Sequence, residues 1–324
     1  MKNGKIIIAG GTGFIGQELT KYFSPDNKVF ILTRGLLGEQ NNAYGYTADK
    51  STNITFINWD AKTGGEWEKV LEGADILINL TGKTVNCRYN EANKKALFDS
   101  RTNAVIALGN AVKKCENPPK LWINAASATI YRNAYDRPQD EFTGDIENDF
   151  SVQVCKKWEQ TFFEQQTPGT RKIALRMAIT LAPGGVLVPY LNLCKFGLGG
   201  KQGSGKQMFS WVHSKDIYKV ILFLWEHVES EGVYNVSSPN AVTNACFMKK
   251  LRNATCHLFG LPAQAWMLKL GAAVLGTEPE LLLKSRWVVP TRLLQEGFEF
   301  TYTDIDNAFG DIVKELPRKT YHLF

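Results

Sequence analysis

Two groups of residues in this 324-residue chain are typed and spaced for holding a phosphate-bearing ligand. The first is the run Gly10-Gly11-Thr12-Gly13-Phe14-Ile15-Gly16, with glycine recurring at every third position from Gly10. Gly10 permits a tight turn, Gly13 lets backbone N–H groups approach a pyrophosphate, and Gly16 lets a following helix pack closely on a strand. With Thr12, Phe14 and Ile15 they form the candidate cradle, facing the positive end of that helix. The second group is Thr33-Arg34, about 20 residues beyond Gly13, where an NAD-binding unit carries Asp or Glu for the ribose 2′-hydroxyl. A carboxylate there would repel a 2′-phosphate, and a guanidinium forks onto one. The pair therefore points to NADP(H), unless Arg34 is only a solvated loop cation.

The elements around these residues follow from the pattern. Residues 5–9 form an apolar run, and Ile15, Leu19 and Tyr22 fall at helical spacing. Strand, glycine turn and helix in that order are the context a dinucleotide-binding turn requires. Further strands are expected at 28–32, 54–58, 75–79, 121–125, 172–176 and 232–236, with helices over 91–115, 151–166 and 217–227. The alternation predicts a Rossmann-like α/β fold with a doubly wound parallel sheet. Ligands in such sheets sit beyond the carboxyl ends of the strands. Asp60 and Leu80-Thr81-Gly82 should therefore face the adenine and ribose ends of a cofactor, although Asp60 could equally cap a helix. Residues 35–53 read as a long polar loop. A glycine-rich stretch from Pro183 to Gly205 should cross the cofactor side of the sheet. Beyond about residue 240 the pattern is mainly helical, with a short strand near 298–300 and a last helix over 304–315. The expected division is a dinucleotide-binding domain over 1–180, to which 211–238 return, and a smaller substrate-cleft domain over 181–210 and 239–324.

Composition narrows the function classes. Hydrophobic residues at 44% and charged residues at 22% suit a soluble globular protein. The net charge of +6 is modest and no Lys/Arg run exceeds two residues, so neither nucleic acid nor a membrane is an expected partner. The six cysteines (87, 115, 155, 194, 246 and 256) include no C-x-x-C, and no metal site is expected. Buried thiols in an intracellular chain are the simpler reading. The few residues before the first strand are too short for a signal peptide, and no 18-residue apolar stretch occurs, so a cytoplasmic location is expected.

Further landmarks carry a resemblance. The glycine turn, Ser127-Ala128-Thr129-Ile130-Tyr131, Trp211 to Asp216, and Tyr234-Asn235-Val236 resemble the extended short-chain dehydrogenase/reductase superfamily. Adding Trp59-Asp60, Asn79 to Gly82, Ser100-Arg101, Trp158-Glu159, Gly197 to Gly205 and Pro290 to Leu294, the whole chain is similar to the YfcH-like, SulA-type "epimerase family" branch. The resemblance implies NADP(H)-dependent oxidoreduction or epimerisation of a small molecule, such as a nucleotide sugar or carbonyl compound. It makes Arg101 a candidate cofactor contact, if not a surface ion-pairing residue, and Ser127 the residue that orients a substrate oxygen. The superfamily also uses a Tyr and, four residues later, a Lys for proton transfer. Anchored on Glu159, these positions hold Ser151 and Cys155. Tyr131 and His213 are the candidate replacements, although Tyr131 could be a packed pocket wall and His213 a satisfied loop residue. Cys155 as a nucleophile would lack a basic partner. The alternative is a non-catalytic NADP(H)-binding sensor or scaffold.

Overall fold

The computed structural model describes residues 1–35, 53–268, 278 and 283–323. The expected loop at 35–53 lies, apart from its end residues, outside the described residues. The first part of the chain forms β1 (Lys5–Ala9), α1 (Phe14–Phe23), β2 (Lys28–Thr33), β3 (Ile54–Asn58), β4 (Ile76–Asn79), α2 (Glu91–Val112), β5 (Leu121–Ser127), α3 (Phe150–Phe163) and β6 (Arg171–Met177). With β10 (Gly232–Val236) the strands make one seven-stranded parallel sheet in the order β3-β2-β1-β4-β5-β6-β10. The order reverses direction between β1 and β4, which is where such sheets bind ligands.

The strands read as continuous apolar runs because both faces of the sheet are covered. Successive side chains alternate between faces. Ile6 and Ile8 pack on one side with Leu19 and Phe23 of α1 and with Ile217, Val220 and Leu224 of α5 (Ser214–Glu226). Ile7 and Ala9 pack on the other with Ala104, Val105 and Leu108 of α2 and Trp158 and Phe162 of α3.

The rest of the chain builds a separate core. β7 (Ile179–Leu181) pairs in parallel with β9 (Trp211–His213), and β8 (Met208–Phe209) pairs antiparallel with β11 (Val242–Thr243). Around them α4 (Leu187–Lys195), α6 (Asn244–Ala254) and α8 (Ile305–Glu315) bury Tyr190, Phe247 and Phe309 in a third cluster. A short α7 (Thr291–Gln295) precedes α8. The strand expected near 298–300 does not form: both aromatics turn into the first-face core, Phe298 lying edge-on to Phe223 at 5.3 Å. No described helix is long and apolar enough to cross a membrane.

Candidate functional site

The glycine turn has the shape its spacing predicts. Gly10 sits at φ +80°, and a Cβ there would fall 3.1 Å from the carbonyl carbon of Leu80, at the end of β4. The turn closes with Gly13 N–H donating to Gly10 O at 3.0 Å. At Gly16 a Cβ would lie 2.5 Å from Gly11 Cα, so the helix rests directly on its own turn. The longer helices α2, α3, α5, α6 and α8 start with capping side chains from Asn90, Asp149, His213, Thr243 and Asp304. α1 starts at Gly13 with no side-chain cap and no acid in its first turn. Its first-turn N–H groups are the orphan donors an anion can fill. At Gly13 a Cβ would meet only Gly10 O, at 3.3 Å, so that face of the turn is open to a phosphate. The Phe14 and Ile15 side chains are otherwise engaged. The Phe14 ring lies against Gly185, where a Cβ would be 2.5 Å from the ring, and Ile15 packs on the sheet core. The glycine-rich crossover thus passes over the turn.

The second strand's end faces a neighbouring cleft. Arg34 lines it with Asn58, Trp59, Asp60, Glu66 and Trp67, around a volume of about 460 Å³. Arg34 makes no ion pair among the described residues. The Thr33 carbonyl accepts from Trp59 N–H at 3.0 Å, tying this edge to the end of β3. Asp60 does not cap a helix. Its carboxylate accepts from Lys62 N–H and Thr63 N–H, both at 2.8 Å, and from the Thr63 hydroxyl at 2.7 Å. These donors pull its carboxyl pKa down to about 2, the Thr63 backbone N–H contributing most. Asp60 shapes the cleft wall as a charged loop anchor.

At the end of β4 the order comes from a pair of buried amides that the strand pattern alone did not single out. Asn79 donates to Asn124 Oδ1 at 2.7 Å across the strands, and its own oxygen accepts from the Thr81 hydroxyl at 2.6 Å. Leu80 N–H donates to Ala9 O at 2.8 Å. Gly82 lies against Arg101: a Cβ there would be 3.2 Å from the guanidinium carbon. Arg101 is not on the surface. It is 9% exposed, stacks 5.0 Å above the Trp158 ring, and donates to the carbonyls of Leu97 and Lys83 at 3.0 and 3.1 Å. Burial pushes its pKa down. No carboxylate pairs with it among the described residues. A buried cation without a counter-charge is costly unless something anionic joins it.

The β5 end is different. Ser127 is half-buried and starts the 3₁₀ turn Ala128–Ile130, its oxygen accepting from Thr129 N–H at 3.2 Å. Its O–H has no acceptor among the described residues. Tyr131 is 2% exposed and fully committed. Its O–H donates to Asn235 Oδ1 at 3.0 Å and accepts from Arg176 Nη1 at 2.9 Å, while Arg176 forks onto Glu159 at 2.8 and 2.7 Å. Burial raises the phenol pKa, the opposite of what a general base needs. Cys155, packed with Tyr131 and Val288, has its thiol pushed up to about 12 by burial and behaves as core. Ser151 stands one turn before it on α3. His213 is 3% exposed, caps α5 by accepting from Lys215 N–H at 3.1 Å, and stacks on Tyr302 at 4.0 Å. It faces the α8 residue Asp311, not the group around Ser127.

Comparisons with known proteins agree with this geometry. The pattern of the NAD dependent epimerase/dehydratase family matches residues 6–237, and that of a domain of unknown function, DUF1731, matches 265–312. The chain is 31% identical over 322 residues to the epimerase family protein SERP0438 of Staphylococcus epidermidis, covering 96% of this chain and 99% of that one. It is 28% identical over 316 residues to YfhF of Bacillus subtilis, covering 97% and 99%. Among solved structures, the human epimerase family protein SDR39U1 with NADPH superposes with a TM-score of 0.81 at 27% identity, covering 96% of this chain and 99% of that one. A nucleoside-diphosphate sugar epimerase of Corynebacterium glutamicum gives 0.71 at 25% identity over 95% of this chain and 57% of its own. With its seven-stranded parallel sheet, its glycine turn and a family match over most of its length, the chain belongs to the NAD dependent epimerase/dehydratase family of extended short-chain dehydrogenases/reductases.

Proposed function

We propose that the protein binds NADP(H) and uses it for oxidoreduction or epimerisation of a small molecule. The observation that carries the reading is the uncapped start of α1 beside a cleft lined by Arg34. Backbone N–H groups of Thr12 to Gly16 hold the pyrophosphate. Arg34, next to Thr33, forks onto the 2′-phosphate, and Asp60 holds the loop that walls the adenosine end. Leu80, Thr81 and Gly82 face the adenine and ribose ends, and Arg101, against Gly82, supplies positive charge beside them. Arg101 is buried, which rules out its being a surface ion-pairing residue. The similarity to a human relative solved with NADPH supports the same choice of cofactor. The bound cofactor supplies hydride chemistry. The protein's part is orientation: Ser127 donates its free O–H to a substrate oxygen. Residues 181–210 and 239–324 complete the substrate cleft, and a nucleotide sugar or a carbonyl compound is the substrate class in view.

A second reading is favoured by the engagement of both Tyr131 and His213 elsewhere. On the register anchored at Glu159, Ser151 and Cys155 take the places of the superfamily's Tyr and Lys. A protein that binds NADP(H) without turnover, as a sensor or scaffold, would look the same at α3. The two readings separate in one assay. NADPH-loaded protein is offered carbonyl compounds and nucleotide sugars, and cofactor oxidation or sugar interconversion is followed. Turnover that drops in Ser127→Ala by about 10²-fold or more, with NADPH affinity unchanged, is the expected result. NADPH binding with no turnover on any substrate leaves the sensor reading standing.

A further inference from the structure

The far end of the C-terminal lobe has a composition of its own. Between residues 182 and 215, again between 232 and 268, and from 316 to 323, the chain contains no Asp or Glu. These three stretches fold together. Leu261 N–H donates to Gly197 O at 2.8 Å and Gly200 N–H to Leu261 O at 3.1 Å. The Lys195 ammonium donates to Lys319 O at 2.7 Å, and the rings of His257 and His322 stack at 4.6 Å. Arg252 donates to Gly199 O, fixing α6 to the turn after α4.

Large apolar side chains stand out from this end. Leu258 is fully exposed, Phe259 is 71% exposed, and Phe196, Leu198, Leu261 and Trp266 are exposed on the same stretches. Apolar side chains clustered on one surface in this way mark a place where something docks. Lys201, Lys206, Arg318 and Lys319 are exposed on the same stretches. Nearby, Asp304 and Asp306 pair with Lys250 and Glu315 pairs with Lys21. Charge decides what fits. A second copy docking this face on itself would set cation against cation with no acid from these three stretches to answer them. Apolar and aromatic side chains with cations around them suit a bilayer surface carrying anionic headgroups.

We propose that this face docks on the surface of an anionic lipid bilayer, with Leu258 and Phe259 entering the headgroup region and Lys201, Arg318 and Lys319 facing lipid phosphates. These cations are scattered along the chain, so no Lys/Arg run in the sequence marks them. The mode is peripheral, and no described helix needs to span.

Flotation of the full chain with vesicles tests it. The protein should rise with phosphatidylcholine vesicles containing phosphatidylserine, stay behind with phosphatidylcholine alone, and release as salt is raised. Leu258→Asp combined with Phe259→Asp, and separately Arg318→Gln combined with Lys319→Gln, should each weaken binding about tenfold or more. Both variants should keep wild-type NADPH affinity and melting temperature. Wild-type protein that fails to rise with anionic vesicles at low salt, or a Leu258/Phe259 variant that rises as well as wild type, overturns the proposal. So does light scattering that shows a dimer split by Phe259→Asp in a protein that does not float, since a second copy would then be what covers the face.

Discussion

At the carboxyl end of β1 the chain leaves donors open, and at the carboxyl end of β5 it spends nearly all of them. The glycine turn offers backbone N–H groups with no side-chain cap, and Arg34 nearby pairs with no described acid. Past β5, Tyr131, Arg176, Glu159 and Asn235 close on one another, while the Ser127 hydroxyl has no acceptor among the described residues. The contrast teaches that holding a dinucleotide and moving a proton are separable properties of this fold. The first is made from backbone geometry that glycine spacing dictates. The second depends on individual side chains, and here Tyr131 is held by Asn235 and Arg176 and Cys155 lies in the core.

The largest way to break this contrast is to fill the turn. Gly16→Val would force a side chain into Gly11, 2.5 Å away at Cβ alone. It should cost about 3 kcal/mol and abolish measurable NADPH binding by calorimetry. Retained binding would mean that the dinucleotide does not use this turn. Tyr131→Phe sharpens the other side. It strips a buried hydroxyl from Arg176 and Asn235 and should cost about 1–3 kcal/mol in denaturant unfolding, with the pH profile of any turnover unchanged. Full stability with turnover lost would instead make Tyr131 the proton donor and erase the contrast.

His213→Phe should have the smallest effect. Burial lowers the His213 pKa below the ordinary 6.5, so the fold favours the neutral ring. The unfolded chain then binds the extra proton, and this contribution to stability is present above about pH 6.5 and lost as pH falls below it. Phe keeps the stack on Tyr302 and should flatten that part of the acid-side decline in melting temperature. An unchanged decline would show that His213 titrates normally.

Much of the cofactor half was legible in the sequence because glycine geometry and strand order are local properties. Gly10 needs its positive φ, and Gly16 its close contact, whatever the rest of the chain does. The apolar runs of β1, β4 and β5 gave their strands for the same reason. The Asn79–Asn124 pair was not legible: it joins residues 45 apart through strand pairing, and each looks alone like a polar residue at a strand end. Arg101 read equally well as a surface ion-pairing residue, because its burial depends on Trp158 arriving from α3. The aromatic stretch at 298–300 read as a strand because its alternation matches one, yet its rings go to the core and its backbone joins no sheet. The fate of Tyr131 was open because the Arg176–Glu159 pair that claims it comes from two later elements.

The central claim is that the open end of the cleft is shaped for a 2′-phosphorylated dinucleotide, and Arg34 tests it most directly. NADPH and NADH are titrated into wild-type protein and into Arg34→Ala, with affinities read by calorimetry. The account predicts that the substitution weakens NADPH by about 1–3 kcal/mol and leaves NADH nearly unchanged. Equal losses for the two cofactors, or none for either, would contradict it.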